Sequence, residues 1–435
     1  MLTQHPTNSL SSLIYSLPSL PRSLNSQEDL IIALTKLIAS NLDIEDWLLK
    51  TDGDYDDCGT AVLHVANFRS VHDLRSERAE LAKLHGEVPG GPSVWMSPDV
   101  QFLARAKLLK DLKLNLPNEV TFVTPRAFGD WPSYLRHFLR VGGVIEAEPP
   151  HKALCGRVSA NLLLGPDGSV SVGSCQDVVL GASRRAIGAV HPQRTVPPQA
   201  LDAAARAVGR ELVERSCGCG YVSATFVVFR DKGTGGLRMW GEALDLHLTN
   251  AAVAHWTVAL LSLGGGGGGG GRGSFADGSN SSSSSSLSTA LFSSTTGSTT
   301  TGASSAGGGG GGDGGGVAAY VASPCVYHPK LPEMLFSSFF KLCRLQGMSF
   351  DIRNKTGVVF DIYDSMACGV MGMLTIGPSA PAATRVASKV MLFMKKHIGS
   401  RTAAGAAAIA RGEDDGLSGF LEFDDAIKER IKQIS

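Results

Sequence analysis

A lysine closes a short apolar run, Asp46-Trp-Leu-Leu-Lys50, and stands before an acidic, glycine-bounded segment, Thr51 to Gly59. A β-rich run, Thr60-Ala-Val-Leu-His-Val65, follows it. Strand, loop, strand is the pattern. A hairpin that delivers an ammonium beside loop N–H groups is one way to hold phosphate, with Lys50 as the point charge. The same residues also read as a surface lysine before an ordinary turn, and Asp52, Asp54, Asp56 and Asp57 oppose phosphate unless a divalent cation is present. Farther on, Val141-Gly-Gly-Val-Ile-Glu-Ala-Glu-Pro-Pro150 reads as a strand that stops at a proline pair. Alternation places Glu146 and Glu148 on one side of it. Paired carboxylates there could grip a ribose or a metal ion; equally, they mark a solvated strand face. Eight cysteines are scattered, with only Cys217-Gly-Cys219 close together. They read as free or buried thiols of a reducing compartment, not as zinc ligands or disulfides.

The elements that must hold these groups show as periodicity. Residues 27–41 space Leu30, Ile31, Leu34, Leu37 and Ile38 on one helical face, with Glu28 and Asp29 in the first turn, where carboxylates suit the helix dipole. Helices are also predicted over 76–85, 99–114, 131–139, 198–215, 250–263, 331–345 and 382–398. Strands are predicted over 120–123, 221–229, 237–248, 350–353, 357–361 and 371–376. Residues 158–164 and 169–175, joined by the turn Gly165-Pro-Asp-Gly168, form a predicted hairpin. Helices alternating with antiparallel hairpins make the fold class α+β, not a doubly wound sheet.

Composition bounds the rest. The 435 residues are 43% hydrophobic and 18% charged, which excludes a wholly disordered chain. Forty basic against forty acidic residues leave no global field for nucleic acid or an anionic membrane. No run reaches the roughly 18 apolar residues of a spanning helix. The first residues have no Arg or Lys before Arg22, unlike a secretory signal, and read as a cytoplasmic tail over 1–26. Residues 264–316 are nearly all Gly, Ser, Thr and Ala and cannot bury enough apolar surface to offset ordering. They read as a disordered insert between a large unit and a small α+β unit, 317–400. Beyond it, 401–435 is a tail whose Phe420, Phe423, Ile427, Ile431 and Ile434 line one side of a helix that would dock on the body or on a partner.

Several strings, in order, resemble the ATP-grasp family, and within it the ATP-grasp region of IQ-motif-containing protein H. The carboxylate-amine ligases of peptide-antibiotic biosynthesis are more distant. The strings are ALTKLIASN, WLLKTDGDYDDCGTA at 47–61, GGVIEAEPP at 142–150, LLLGPDGSVSVGSC at 162–175, GYVSATFVVF at 220–229, WGEALDLHLTN at 240–250, and GMSFDIRNKTGVVFDIYD with GMLTIG between 347 and 377. The resemblance implies two lobes, 27–150 and 151–263, with ATP between them. It implies Lys50 on the phosphates, Gly53 to Thr60 (Gly59 among them) as a loop over them, and the backbone of Val144 to Glu148, including Glu146 and Ala147, as a hinge meeting adenine. Glu146 or Glu148 would then reach the ribose.

The same resemblance exposes departures. Active relatives carry an acid where this chain has Thr225, and an acid-x-Asn pattern followed two residues on by Arg where it has Ala243, Asp245 and His247. Glu242, one position off, is expected to face away from the site. Asp245 with Asn250 could hold one Mg2+ through the nucleotide, whereas phosphoryl transfer needs carboxylate-clamped divalent ions. Three readings stand: a degenerate nucleotide-binding module of regulatory or scaffolding kind, an active ATP-dependent carboxylate-amine ligase working through an acyl phosphate, and a scaffold without nucleotide. The first is favoured, which leans away from an enzyme. The resemblance further implies protein partners, a ciliary setting and additional domains ahead of this region. No I-Q-x-x-x-R-G-like stretch is present, so calmodulin binding does not carry over.

Overall fold

The structure, a computed structural model, describes residues 26–52, 59–86, 93–124, 127–149, 151–181, 184–215, 217–231, 235–263, 317–327, 331–361, 369–397 and residue 425. Gly53 with most of the loop after Lys50, the tail before residue 26, the glycine-rich 264–316 and the expected C-terminal amphipathic helix lie outside the described residues.

The first lobe is a four-stranded antiparallel sheet with helices. Helix α1 (Gln27–Ser40) starts where the Ser26 hydroxyl accepts from the Asp29 N–H, and it buries Leu30, Leu34 and Ile38. Strands β1 (Asp46–Thr51), β2 (Thr60–His64), β3 (Val120–Phe122) and β4 (Gly143–Ala147) lie in the order β3-β2-β1-β4, so β4 is an open edge. Helices α2 (Arg69–Leu84), α3 (Pro98–Asn115) and α4 (Trp131–Val141) complete the lobe. Its core gathers Trp47, Leu49, Leu63, Leu108 and Phe138 with the buried face of α1.

Two features set the end of β1, and with it Lys50. Asp130 caps α4 by accepting from the Ser133 N–H, and Tyr134, one turn in, donates to the carbonyls of Leu49 (2.7 Å) and Gly59 (3.2 Å). Gly143 lets β4 run close: a Cβ there would stand 2.3 Å from the Lys50 carbonyl oxygen. Gly142 before it, at φ +88°, ends α4 in a conformation L side chains rarely adopt.

The second body is one eight-stranded antiparallel sheet, in the order β11-β12-β10-β7-β6-β5-β8-β9. Its strands are β5 (Leu154–Leu164), β6 (Val170–Leu180), β7 (Ala186–His191), β8 (Gly220–Arg230), β9 (Leu237–Asp245), β10 (Ala319–Tyr327), β11 (Gly357–Asp361) and β12 (Val370–Gly377). Helix α5 (Pro198–Glu214) packs on one face of β5, β6 and β8, and α6 (Asn250–Leu263) packs on β6 and β10. Helices α7 (Phe336–Leu345) and α8 (Ala380–His397) cover the far strands. Residues 317–397 keep an apolar centre of Phe339, Met371, Met373, Met391 and Met394, but it also takes Val179, Ile187 and Val190 from β6 and β7. Strand β10 pairs with β7 across Tyr320–His191 and Val321–Val190, so this unit continues the sheet of the second lobe.

Strands β7 and β10, and the first two turns of α2, are absent from the sequence-based prediction. Pro324 demotes β10 as a strand by rule, and the structure lodges it in an irregularity between Ser323 and Val326. The strand predicted at 350–353 is instead a turn: Asp351 bridges Thr356 and its Oδ1 accepts from the N–H groups of Arg353 and Asn354. No helix among the described residues is long and apolar enough to cross a membrane.

Candidate functional site

The two sheets meet at a cleft bordered by β1 and β4 on one side and β5, β8 and β9 on the other. Lys50 crosses it. Its Nζ lies 2.8 Å from Glu146 Oε2 on β4 and donates to the Glu242 carbonyl on β9 at 3.1 Å. The sequence-predicted pair Glu146 and Glu148 does share one side of the strand, but the two acids have different company. Glu148, 2% exposed, accepts from Arg157 Nη2 at 3.0 Å and pairs with Arg184 Nη1. Arg184 Nη2 meets Asp46 at 2.7 Å, while Arg157 Nε meets Glu242 at 2.6 Å. Glu148 is thus committed to two guanidiniums, leaving Glu146 as the acid nearer to a ligand's reach. Arg184 holds its place at φ +68°, a left-handed conformation unusual for a non-glycine residue.

Strict alternation would turn Glu242 away from the cleft. The structure overturns that expectation, because Thr225 pairs with Ala243 and Phe226 with Gly241, which leaves Glu242 as the extra residue of a bulge. Its carboxylate thereby reaches Arg157. Burial alone would raise the Glu242 carboxyl, yet Arg157, with Lys50 and Arg184 behind it, outweighs burial and holds it below the ordinary value. For Arg157 burial works against the charge, and Glu242 with Glu148 more than restores it.

The edge of β4 faces this network. Glu148 N–H donates to the Asp46 carbonyl and Asp52 N–H to the Gly142 carbonyl, so even-numbered residues of β4 pair with β1. Odd-numbered Ala147 therefore turns its N–H and C=O off the open edge. There lies a shallow recess, partly open to solvent, lined among others by Leu48, Ala147, Arg157, Val227, Trp240 and Glu242. Arg157 is 5% exposed, and its Nη1 has no hydrogen-bond partner.

Deeper along the same face of the large sheet runs a polar floor. Gln176 Nε2 donates to Ser174 Oγ (2.8 Å) and Tyr320 Oη (3.0 Å), and its Oε1 accepts from Asn161 Nδ2 (2.9 Å). Thr249, just before α6, donates to Asn161 Oδ1 at 3.0 Å. His191 stacks on Tyr320 with ring centroids 5.1 Å apart, and His255 of α6 meets His191 edge-on at 5.0 Å. Burial, with His191 adding, pushes His255 down to about 3; burial also lowers His191, against the Cys175 carbonyl that accepts from it. Both rings are neutral at pH 7. The Cys175 thiol is pushed up to about 12 by burial first, which keeps it un-ionised.

Residues 11–265, more than half of the chain, match the family described as IQCH-like, ATP-grasp. The chain belongs to that family. The zebrafish (Danio rerio) IQ motif-containing protein H is 25% identical over 382 residues, covering 87% of this chain and 32% of the relative. The chain thus spans about a third of the curated relative it matches. Among solved structures, the biotin carboxylase domain of Hydrogenobacter thermophilus 2-oxoglutarate carboxylase, in complex with MgADP, ADP and bicarbonate, is similar at 10% identity. It covers 85% of this chain and 60% of that one with a TM-score of 0.40. An ADP complex of purK, N5-carboxyaminoimidazole ribonucleotide synthetase, is similar at 12% identity, 85% and 65% coverage and TM-score 0.40.

In this IQCH-like ATP-grasp chain the metal ligands suggested by the sequence are sparse. Asp245 ends β9 opposite Ser223, and Asn250 opens α6 five residues later. Burial raises the Asp245 carboxyl against the pull of His247 and Lys50. Thr225 and Ala243, the two positions at which the family resemblance leads one to expect acids, are direct cross-strand partners. Among the described residues no group of three or more His, Cys, Asp or Glu is placed to hold a metal ion. The donor set does not fit a two-metal site: Glu242 is neutralised by Arg157, which leaves Asp245 as the cleft carboxylate on β9 without a guanidinium at hydrogen-bond distance. Thr60 is buried beside Lys50, and the Gly59 carbonyl is taken by Thr51 N–H and Tyr134. Arg157, Arg184, Gln176 and Asn161 were not singled out by the sequence. The signal was there: Arg157-Val-Ser-Ala-Asn161 alternates polar and apolar in a strand buried on both faces.

Proposed function

We propose that the cleft holds a nucleoside triphosphate and that the chain is a nucleotide-binding module of regulatory or scaffolding kind, without ligase activity. The observation that carries this is the position of Lys50. Its ammonium stands between the lobes, and both of its partners, Glu146 and Glu242, line the recess at the open edge of β4. The base would lie between Leu48 and Ala147 on one side and Val227 and Trp240 on the other, with the Ala147 N–H and C=O at its edge. Lys50 would exchange Glu146 for the phosphates, freeing Glu146 toward the ribose. The uncharged cross-strand pair Thr225 and Ala243 supports binding without phosphoryl transfer, since no carboxylate pair is left there to clamp divalent ions.

Thermal unfolding of the full chain tests this. Millimolar nucleoside triphosphate should raise the transition, by about 2.7 kcal/mol at a hundredfold excess over Kd. The shift should shrink sharply in Lys50→Met. A wild-type chain that no nucleoside triphosphate stabilises is a scaffold only. Release of phosphate when carboxylates and amines are supplied would return the chain to the ligases.

A further inference from the structure

We infer that residues 413–434 fold back onto the outer surface of α7 and α8, an acidic and apolar tail covering a basic and apolar face of its own chain. The two helices bury Phe339, Met391 and Met394, yet they leave large apolar groups outside. Leu345 is 72% exposed and Leu392 65%, and Leu335 and Phe336 stand exposed at the other end of α7. Lys389 Nζ donates to the Gln346 carbonyl at 2.8 Å, which sets the turn of α8 that carries Leu392 beside the end of α7 that carries Leu345. Arg385, Lys389 and Leu392 recur at i, i+4 and i+7, so they share one exposed side of α8. Apolar surface in a basic surround is what the helices present.

Charge selects the occupant. Helix α7 carries Lys341 and Arg344, α8 carries Arg385, Lys389 and Lys395, and neither contains an Asp or Glu. Residues 413–425, Glu-Asp-Asp-Gly-Leu-Ser-Gly-Phe-Leu-Glu-Phe-Asp-Asp, hold six acids and no base. From Phe420 to Ile434 the sequence spaces apolar residues down one side of a helix, and such a stripe is stable only when covered. Helix α3 also exposes Phe102, Leu103 and Leu114, but it bears Asp99 and Asp111, and its Lys107 and Lys113 are paired with Glu77 and Glu28. The connection favours α7 and α8 as well. Leu417 follows His397, the last residue of α8, by twenty residues, a reach of up to about 70 Å against about 27 Å for the whole of α8. Docking within one chain needs only weak contacts, because the tether keeps the effective concentration high.

Hydrogen–deuterium exchange on the full chain at low ionic strength tests this. Amides of residues 420–434 should exchange at least about tenfold more slowly in the wild type than in Leu345→Asp with Leu392→Asp. Both side chains are exposed, so thermal unfolding of the variant should match the wild type. Lys341→Glu with Lys395→Glu should release the tail too, and added salt should weaken docking in the wild type. Carbodiimide, which joins touching carboxylates and ammonium groups, should link residues 413–425 to Lys341 or Lys389 within one chain. Mixed heavy- and light-isotope chains identify any link between chains, and such links would overturn self-docking in favour of a second copy. Equal protection of the tail in the wild type and both variants would also overturn it, as would crosslinks to α3 or an unprotected wild-type tail.

Discussion

Alternate residues of β5 and β8 bury themselves in different company. On the α5 side, Val158, Ala160, Leu162, Val222, Ala224, Phe226 and Val228 pack against Leu201, Ala204, Ala205 and Leu212. On the cleft side the same strands bury Arg157, Ser159, Asn161 and Ser223, and β6 adds Ser174 and Gln176. The first face needs no explanation beyond apolar surface removed from water, at about 25 cal/mol per Å². The second would hold together better as hydrocarbon, since burying polar and ionic groups repays its desolvation only when every partner is in place. One face shows what stability asks of a strand; the other shows what the proposed ligand site would ask of it.

That contrast breaks hardest at Arg157. Arg157→Met leaves Glu148 and Glu242 buried without compensation and should cost about 3–5 kcal/mol. Replacing all three by apolar residues of similar size should restore much of that loss while abolishing nucleotide binding, which chemical denaturation and titration together would show. On the apolar face, Leu162→Ala should cost about 3 kcal/mol through lost burial and a residual cavity, with nucleotide affinity unchanged. A loss of affinity there would mean that the two faces are not separable.

Acid separates the faces as well. His255 stays neutral in the folded chain down to about 3, far below the ordinary 6.5, so the unfolded chain takes up the proton first. Its contribution is complete above the unfolded value and drains away as pH falls from 6.5 toward 3, on the order of 2 kcal/mol by pH 5. His191, lowered by burial, has the same sign; Glu242, also lowered, adds its loss only below the usual carboxylate range, while the raised Asp245 works in the opposite direction. His255→Phe should flatten urea midpoints between pH 6.5 and 5, and an unaltered slope would remove the histidine from the account. The smallest effect is expected at Gln176→Leu, about 1–2 kcal/mol, as Asn161, Ser174 and Tyr320 lose their common partner.

Much of this architecture is legible from periodicity and turns. Helix 250–263 and strand 357–361 are predicted to the residue, and the Lys50 hairpin falls within one residue of β1 and β2. The strands that are not legible, β7 and β10, are those that join the lobe to residues 317–397. Strand β7 is short and opens with Ala-Ile-Gly-Ala, while β10 abuts the glycine-rich segment and carries Pro324, so local signals are weak and pairing across the sheet makes them strands. At the cleft, Glu146 and Glu148 share one side of the strand as alternation suggests, whereas the pairing of Lys50 with Glu146 could not be read from spacing. The side on which Glu242 falls could not be read, because alternation holds only until a bulge adds a residue. Arg157 and Arg184 escaped because each owes its place to acids on other strands, Glu242 and Asp46 among them, that only the fold brings near.

Hydrogen–deuterium exchange with and without saturating magnesium nucleoside triphosphate bears most directly on the proposal that the cleft face is built for a ligand. Slower exchange across residues 143–149 and 237–245, with α5 unchanged, is the expected result. Protection that is absent, or confined to the α5 face, would contradict it.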